Sequence, residues 1–178
     1  MNLYAHARKW LLATGCLWVL VSAAAGAPAH PGAVVAVRAW TPPVGRDDLD
    51  SARAALQPDA HVALPPGDRP EFRAEARQPI WYAVDLGPGP EGLPRVLELT
   101  HPSLRAADLY LPGNDGQPVV LRGGRDIPMA QRSGARFPAT FALPPDMAPG
   151  TAYLRLKSTV PTRGLFLLQP RDDWKSQS

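Results

Sequence analysis

Residues 97–113 read LELTHPSLRAADLYLPG, and this stretch contains two short segments in which apolar and polar residues alternate. Successive side chains of a β-strand point to opposite faces, so each segment is typical of a strand with one face on a core. A proline-containing connection separates the two segments, and a Pro-Gly turn follows at 112–113. We therefore predict two neighbouring strands whose apolar residues face inward, while Asp108 and Tyr110 point the other way.

The same pattern recurs along the chain. Its 22 prolines and 15 glycines separate short alternating or apolar segments, as in antiparallel all-β domains. The predicted strands are 34–40, 80–86, 95–99, 107–111, 118–121, 136–143, 152–157 and 165–168. Residues 47–56 predict one short helix, since they begin with capping acids and continue into Ala and Leu. Residues 57–78 are expected to be loop-like, with one short strand near 61–64. The pattern predicts a sandwich of two antiparallel sheets.

The N-terminus has the parts of a secretory signal peptide. Arg8 and Lys9 precede an apolar run from 10 to 25, and small residues fill 22–29. A positive segment, a short apolar segment and an Ala-rich exit are typical of exported proteins. We predict a signal peptide at 1–29, a periplasmic domain at 30–170 and a polar tail at 171–178. An uncleaved signal anchor, or a lipoprotein processed at Cys16, is the alternative.

The composition argues against thiol chemistry and against nucleic-acid binding. Cys16 is the one cysteine, so cleavage downstream of it leaves neither a disulfide nor thiol chemistry. The 19 basic residues include Arg8 and Lys9, so the mature domain keeps 17 of them against 16 acids. Because no basic block is present, we expect no nucleic-acid partner.

The sequence shows no catalytic or metal-binding motif; a pair of carboxylates for glycoside hydrolysis stays open, but nothing in the sequence singles out a pair. His30, His61 and His101 do not stand at ligand spacing with another His, Cys or acid. The serines lack a nucleophile-elbow context, and no glycine-rich loop leads into a helix. The acids at 47–50 fit a helix cap better than a calcium loop, which needs ligands at alternating positions and a central Gly. We expect that the protein has no catalytic residue, metal or cofactor and is not an enzyme.

Three tyrosines favour a binding function. They alternate with core residues, so we expect them on the outer faces of strands, near acids and arginines. An exposed tyrosine ring beside charged groups suits a small polar ligand such as a carbohydrate or a carboxylate. The candidate ligand-binding residues are Tyr82, Tyr110, Asp108, Arg136, Tyr153 and Arg155. The alternative is that each tyrosine lies under a loop or in a secondary apolar cluster.

Residues 97–113 also resemble the central strand pair of a known family, the second type of extracellular sensory domain of bacterial seven-transmembrane receptors with diverse intracellular signalling modules. Its pattern is an aliphatic-Glu-Leu strand, a Pro-containing connection, then a strand with Leu-Tyr followed by Pro. Other landmarks occur in the family's order: WYAVDL at 81–86, GRDIP at 124–128, Arg132, RF at 136–137, FALPP at 141–145 and YLRLKS at 153–158. The resemblance covers roughly residues 34–170.

The resemblance implies a jelly-roll-like sandwich, similar to carbohydrate-binding modules, that acts as a periplasmic input domain. Family members continue into seven transmembrane helices and a cytoplasmic output module. This sequence ends at Ser178, so we expect either a stand-alone binder with a membrane receptor as its partner, or a detached receptor domain. The competing hypothesis is a structural or adaptor sandwich that docks another envelope protein and binds no small molecule.

The orientation of 107–111 can be tested by two substitutions. Leu109→Ala should cost about 2–5 kcal/mol of unfolding free energy through lost burial and a cavity. Tyr110→Ala should leave folding nearly intact, and should weaken ligand binding by about 1–2 kcal/mol if the outer face binds the ligand. Melting curves and a binding titration measure both effects. Unfolding by Tyr110→Ala but not by Leu109→Ala would mean that the strand faces the other way.

Overall fold

The computed structural model describes residues 34–57, 69–89, 93–113, 115–134 and 139–170. The predicted signal peptide, the predicted strand near 61–64, Arg136 and the polar tail lie outside these ranges.

Within the described ranges the chain forms nine strands, one α-helix and one 3₁₀ turn at Met129–Gln131. In chain order these are β1 (Val34–Trp40), α1 (Leu49–Ala55), β2 (Glu71–Ala74), β3 (Ile80–Leu86), β4 (Arg95–Leu99), β5 (Ala106–Leu111), β6 (Val119–Gly123), β7 (Thr140–Leu143), β8 (Gly150–Lys157) and β9 (Thr162–Pro170). The strands build two antiparallel sheets, so the predicted all-β sandwich is confirmed.

The strand order of the sheets is that of a jelly roll. One sheet has the order β2-β9-β4-β7, and the other has the order β1-β3-β8-β5-β6. Successive strands from β2 to β9 therefore change sheet at each step except for the β5–β6 hairpin, which lies within the five-stranded sheet, as in two interlocked Greek keys. Strand β1 is an addition that pairs with β3 at the edge of the five-stranded sheet.

The core lies between the sheets and follows the period-two pattern. Leu109 and Leu154 of the five-stranded sheet, and Leu97, Leu99 and Phe141 of the four-stranded sheet, are fully buried in one cluster. Burial of this apolar surface is the main stabilising term in a domain of this kind. The structure confirms the inward orientation predicted for residues 97, 99, 107, 109 and 111.

Strand β2 was not predicted, because residues 57–78 were expected to be loop-like. Its four residues, EFRA, place only Phe72 and Ala74 on the core. The strand lies at a sheet edge and pairs only with β9. Phe72 is the one large apolar residue of the strand and stands between two charged residues, so the alternation does not distinguish it from a polar loop. Elsewhere the observed strands differ from the predicted ones in their bounds. Strand β6 ends two residues later than predicted, and β9 extends beyond 165–168 at both ends.

The prediction that Tyr82 lies on an outer face was wrong. Tyr82 is 4% exposed and packs edge-on against Phe166 in the core between the sheets. Its neighbour Trp81, on the opposite face of β3, is also buried. One face of β3 lines the core and the other is covered by α1, so both faces are apolar. The alternation of apolar and polar residues therefore could not show which face points inward.

Helix α1 covers the outer face of the five-stranded sheet. Asp48 caps its N-terminus by accepting a hydrogen bond from the backbone N–H of Ser51, at 2.8 Å. Ala52 and Leu56 then pack against Trp81 and Ala83 of β3 in a second apolar cluster. The helix predicted at 47–56 is confirmed, with Asp48 as the cap.

Tyr82→Phe tests the inward orientation. The Tyr82 hydroxyl accepts from the backbone N–H of Arg73 and donates to its carbonyl oxygen, both at 2.7 Å. Removing the hydroxyl leaves two β2 backbone groups without this partner, so unfolding free energy should fall by about 1–3 kcal/mol in chemical denaturation. Tyr153→Phe is the control, since among the described residues the Tyr153 hydroxyl has no hydrogen-bond partner.

The same substitution should change the alkaline limit of stability. Burial raises the pKa of Tyr82 above its ordinary value, so the folded state favours the protonated phenol. The associated stability is complete below the unfolded-state pKa of about 10 and decreases as the pH rises above it. Tyr82→Phe should lose less stability above pH 10 than the parent, and an equal loss in both proteins would contradict the assignment.

Candidate functional site

The outer face of the five-stranded sheet carries two rows of side chains at aligned positions of neighbouring strands. One row is Trp40, Trp81, Arg155, Asp108 and Arg122. The next row is Arg38, Ala83, Tyr153, Tyr110 and Val120. The register therefore brings together four of the predicted site residues, Asp108, Tyr110, Tyr153 and Arg155.

Arg155 is the centre of a partly buried polar network. Its guanidinium donates to both carboxylate oxygens of Asp47, with Nε 2.9 Å from Oδ1. It also lies 3.8 Å from the Asp108 carboxylate. The Trp81 indole N–H donates to the same Asp47 oxygen at 2.9 Å, so Asp47 joins the start of α1 to two strands.

The charge state of this network follows from its contacts. Partial burial alone would raise the pKa of Asp47. Hydrogen bonds from Arg155 and Trp81, together with the positive charges of Arg155 and Lys157, outweigh burial and lower that pKa below its ordinary value. Asp47 is therefore ionised at neutral pH, and its hydrogen bonds raise the pKa of Arg155.

The two half-buried tyrosines of this face, Tyr110 and Tyr153, pack against other side chains of the domain. The ring of Tyr110 lies 5.4 Å from that of Trp81, centroid to centroid. The Arg53 guanidinium of α1 lies 5.9 Å from the Tyr153 ring centroid, within cation–π range. Both tyrosines belong to the margin of the cluster under α1, which favours the alternative of a secondary cluster. Tyr110→Ala should therefore lower the unfolding free energy, whereas the sequence-based expectation of an exposed ring was that folding would stay nearly intact.

A surface pocket of about 330 Å³ opens at the end of this sheet where β3 and β5 begin and β8 ends. The lining residues come from five separate parts of the chain. They are Asp47, Arg77, Pro79, Arg105, Ala106, Asp126, Lys157, Ser158 and Thr159. The pocket adjoins the Arg155 network through Asp47, which belongs to both.

Among the described residues, both acids of the pocket form ion pairs, but only one of its three cations does. Asp126 is bound by Arg105, with Nε to Oδ2 at 2.5 Å, and Asp47 is bound by Arg155 from outside the pocket. Within the described ranges, neither Arg77 nor Lys157 forms an ion pair. The pocket thus has two cations that form no ion pair in that part of the chain, and of these the charge of Lys157 acts on Asp47 at longer range.

Two loops form one wall. The backbone N–H of Asp126 donates to the carbonyl of Arg105 at 2.9 Å, and that of Arg125 donates to the carbonyl of Leu104 at 3.0 Å. Gly124 permits this approach, because it has φ +104° and a Cβ there would lie 2.6 Å from the Arg105 carbonyl oxygen. The wall fixes the Arg105–Asp126 pair at the rim.

Arg77 forms the opposite wall in an unusual backbone conformation. Its φ is 62°, in the left-handed region that residues with a Cβ rarely adopt. The Arg77 N–H donates to the Ser158 carbonyl at 2.8 Å, and Ala76 bridges Ser158. These contacts hold Arg77 against the end of β8.

The sequence predicted only part of this site. Asp108, Tyr110, Tyr153 and Arg155 lie together, whereas Tyr82 is in the core and Arg136 is outside the described ranges. The pocket residues were missed. Asp47 was assigned to the helix cap, and nothing in the local pattern distinguishes Arg77, Arg105 or Lys157 from solvent-exposed charges. No group of three potential metal ligands occurs among the described residues.

Comparison with known families decides the relationship. The model of 7TMR-DISM extracellular 2 matches residues 37–166. The chain belongs to the 7TMR-DISM extracellular 2 family. This family is an extracellular domain of membrane receptors, so the sensory role expected from the resemblance is supported. No curated protein sequence matches the chain. In the described ranges, no helix is long and apolar enough to cross a membrane.

The motifs that carry the resemblance hold the pocket together. In YLRLKS, Arg155 binds Asp47, and the Ser158 hydroxyl donates to Val160 O at 2.7 Å in the turn after β8. In GRDIP, Asp126 pairs with Arg105. Arg132 donates to the carbonyl of Ile127 at 2.6 Å and so holds the loop that follows. The segments that carry the resemblance therefore supply part of the lining of this pocket, including Asp126, Lys157 and Ser158.

Asp47→Asn tests the network. The substitution keeps the side-chain size but removes the charge that binds Arg155, so unfolding free energy should fall by about 1–3 kcal/mol in denaturant titration at pH 7. Since the native contacts lower the pKa of Asp47, the stabilisation is present above about pH 4 and is lost as the pH falls through the folded-state pKa. The variant should therefore approach the parent's stability in acid.

Asp50→Asn is the matched control. Asp50 lies in the same helix start, but its side chain is 92% exposed and 3.6 Å from Arg53. An exposed pair of this kind contributes less than about 1 kcal/mol. Equal effects of the two substitutions would mean that Asp47 contributes no more than a surface charge.

Proposed function

We propose that the chain is a periplasmic sensory input domain that binds a small polar ligand and reports its presence to a membrane signalling partner. The observation that carries the proposal is the pocket of about 330 Å³ at the end of the five-stranded sheet. Its size is at the lower end of the range for small-molecule sites. Membership of an extracellular receptor-domain family supports the sensory part, and the signal-peptide pattern at 1–29 supports the periplasmic location.

The side chains around the pocket favour binding over chemistry. The Ser158 hydroxyl donates to the Val160 carbonyl and lies 3.1 Å from the Thr162 hydroxyl, with no base in contact. Asp47 has a lowered pKa because of its bonds to Arg155 and Trp81, so it cannot act as a proton donor near neutral pH. A nucleophile with an adjacent base, which covalent catalysis requires, is absent from the described lining.

An adaptor role is the second candidate. It is favoured by edge strand β6, where Val119 and Val120 are 46% and 39% exposed. Adjacent exposed apolar residues on a sheet edge are typical of a surface that adds a strand or packs against a partner.

A ligand screen separates the two functions. Thermal unfolding of the domain should be measured against sugars, amino acids and carboxylates. A ligand at about 100 times its dissociation constant should stabilise the fold by about 2.7 kcal/mol. The protein should be prepared from the periplasmic fraction, and its absence there would contradict the proposed location. Silence across the panel, together with co-purification of an envelope protein, would support the adaptor instead.

A further inference from the structure

We propose that the pocket binds the carboxylate of a small hydroxylated organic acid, with Arg77 and Lys157 as the contacting cations. This inference rests on the proposed ligand-binding function and names its ligand class. Arg77, Lys157 and Arg105 line the pocket with two acids, Asp47 and Asp126.

The pairing of these charges determines which groups can bind an anion. Arg155, which is not a lining residue, binds Asp47 and also lies 3.8 Å from Asp108, and Arg105 binds Asp126. The three lining cations exceed the two lining acids by one, and the cations that form no ion pair within the described ranges are Arg77 and Lys157. An arginine fork matches the two oxygens of a carboxylate, and a nearby lysine adds a compact charge.

The backbone of Arg77 is the second observation. The residue holds a left-handed conformation, φ 62°, that glycine adopts without strain. Strained residues of this kind persist where the surrounding contacts impose them, and they cluster at binding sites. Here the contacts are the hydrogen bond from Arg77 N–H to the Ser158 carbonyl and the bridge between Ala76 and Ser158. They place the Arg77 side chain at the pocket that Lys157 borders from β8.

The remaining lining fits hydroxyl groups. Carboxylates only accept hydrogen bonds when ionised, and each oxygen can accept more than one. Asp47 and Asp126 therefore keep acceptor capacity for ligand hydroxyls after binding their arginines. Ala106, which is paired with Lys157 across β5 and β8, has a small side chain and leaves room between Lys157 and Arg105. A sugar acid, with one carboxylate and several hydroxyls, meets both requirements.

Galacturonate and galactose provide a matched pair of probes, because they differ by the carboxylate at C6. Calorimetric titration of the wild-type domain should give at least about tenfold tighter binding of galacturonate than of galactose. The affinity for galacturonate should fall as the salt concentration rises, since exposed charges are screened.

Two variants locate the anion site. Arg77→Asn removes the charge and keeps a residue that tolerates a left-handed backbone, and Lys157→Gln removes the second cation at an exposed position. Each should weaken galacturonate binding at least about tenfold and leave the weak galactose binding unchanged. Arg163→Gln is the control, because it removes one charge from an exposed position of β9 in the other sheet. Melting temperatures of all three should stay near the parent's, which shows that the fold is intact.

The outcomes separate this inference from the proposed function. Equal affinity for the acid and the neutral sugar would overturn the anion site but leave a ligand-binding sensor. Unchanged galacturonate affinity in both variants would overturn the role of Arg77 and Lys157. If galacturonate, gluconate and malate all fail to bind while a neutral compound stabilises the domain, the acid class is wrong; failure of every class in the broad screen contradicts the sensor itself.

Discussion

The Asp47 carboxylate connects the helix, the outer face and the pocket. It accepts from Arg155 of β8 and Trp81 of β3 and lies one residue before the cap of α1. A seven-residue helix is not stable by itself in water, so α1 depends on contacts of this kind and on the packing of Ala52 and Leu56. Without the carboxylate, the Arg155 guanidinium would lose its hydrogen-bonded partner in the partly buried network, and the pocket would lose one of its two lining carboxylates.

The alternation of apolar residues was sufficient to predict the sandwich because most strands have one face on the core and the other toward solvent. It failed at two strands, for different reasons. Strand β3 is apolar on both faces, so Tyr82 could be assigned to either. Strand β2 has one large apolar residue, Phe72, between two charged residues, so its alternation does not distinguish it from a polar loop. The helix was predictable from local chemistry, because the capping bond from Ser51 N–H to Asp48 joins residues three positions apart.

The site could be predicted only in part because its contacts are between residues far apart in the chain. Asp47 and Arg155 are 108 positions apart, and the pocket combines five segments that meet only after β3, β5 and β8 have paired. Alternation did place Asp108, Tyr110, Tyr153 and Arg155 on the outer face, since orientation is a local property of a strand. The contacts of these side chains depend on the path of α1 across the sheet. The bond between Asp47 and Arg155 is one of these contacts. Arg77 has no sequence signature at all, because its left-handed backbone is imposed by Ser158.

The position of the pocket suits an input domain. Ser158 accepts the Arg77 N–H, and its hydroxyl lies 3.1 Å from the hydroxyl of Thr162, the first residue of β9. Strand β9 then runs through the interior of the other sheet, between β2 and β4. A ligand held between Arg77 and Lys157 would therefore lie beside the short connection between the two sheets, in which Ser158 contacts the first residue of β9. A ligand over the middle of the outer face would meet α1 and a fully paired sheet, with no comparable connection to the opposite layer.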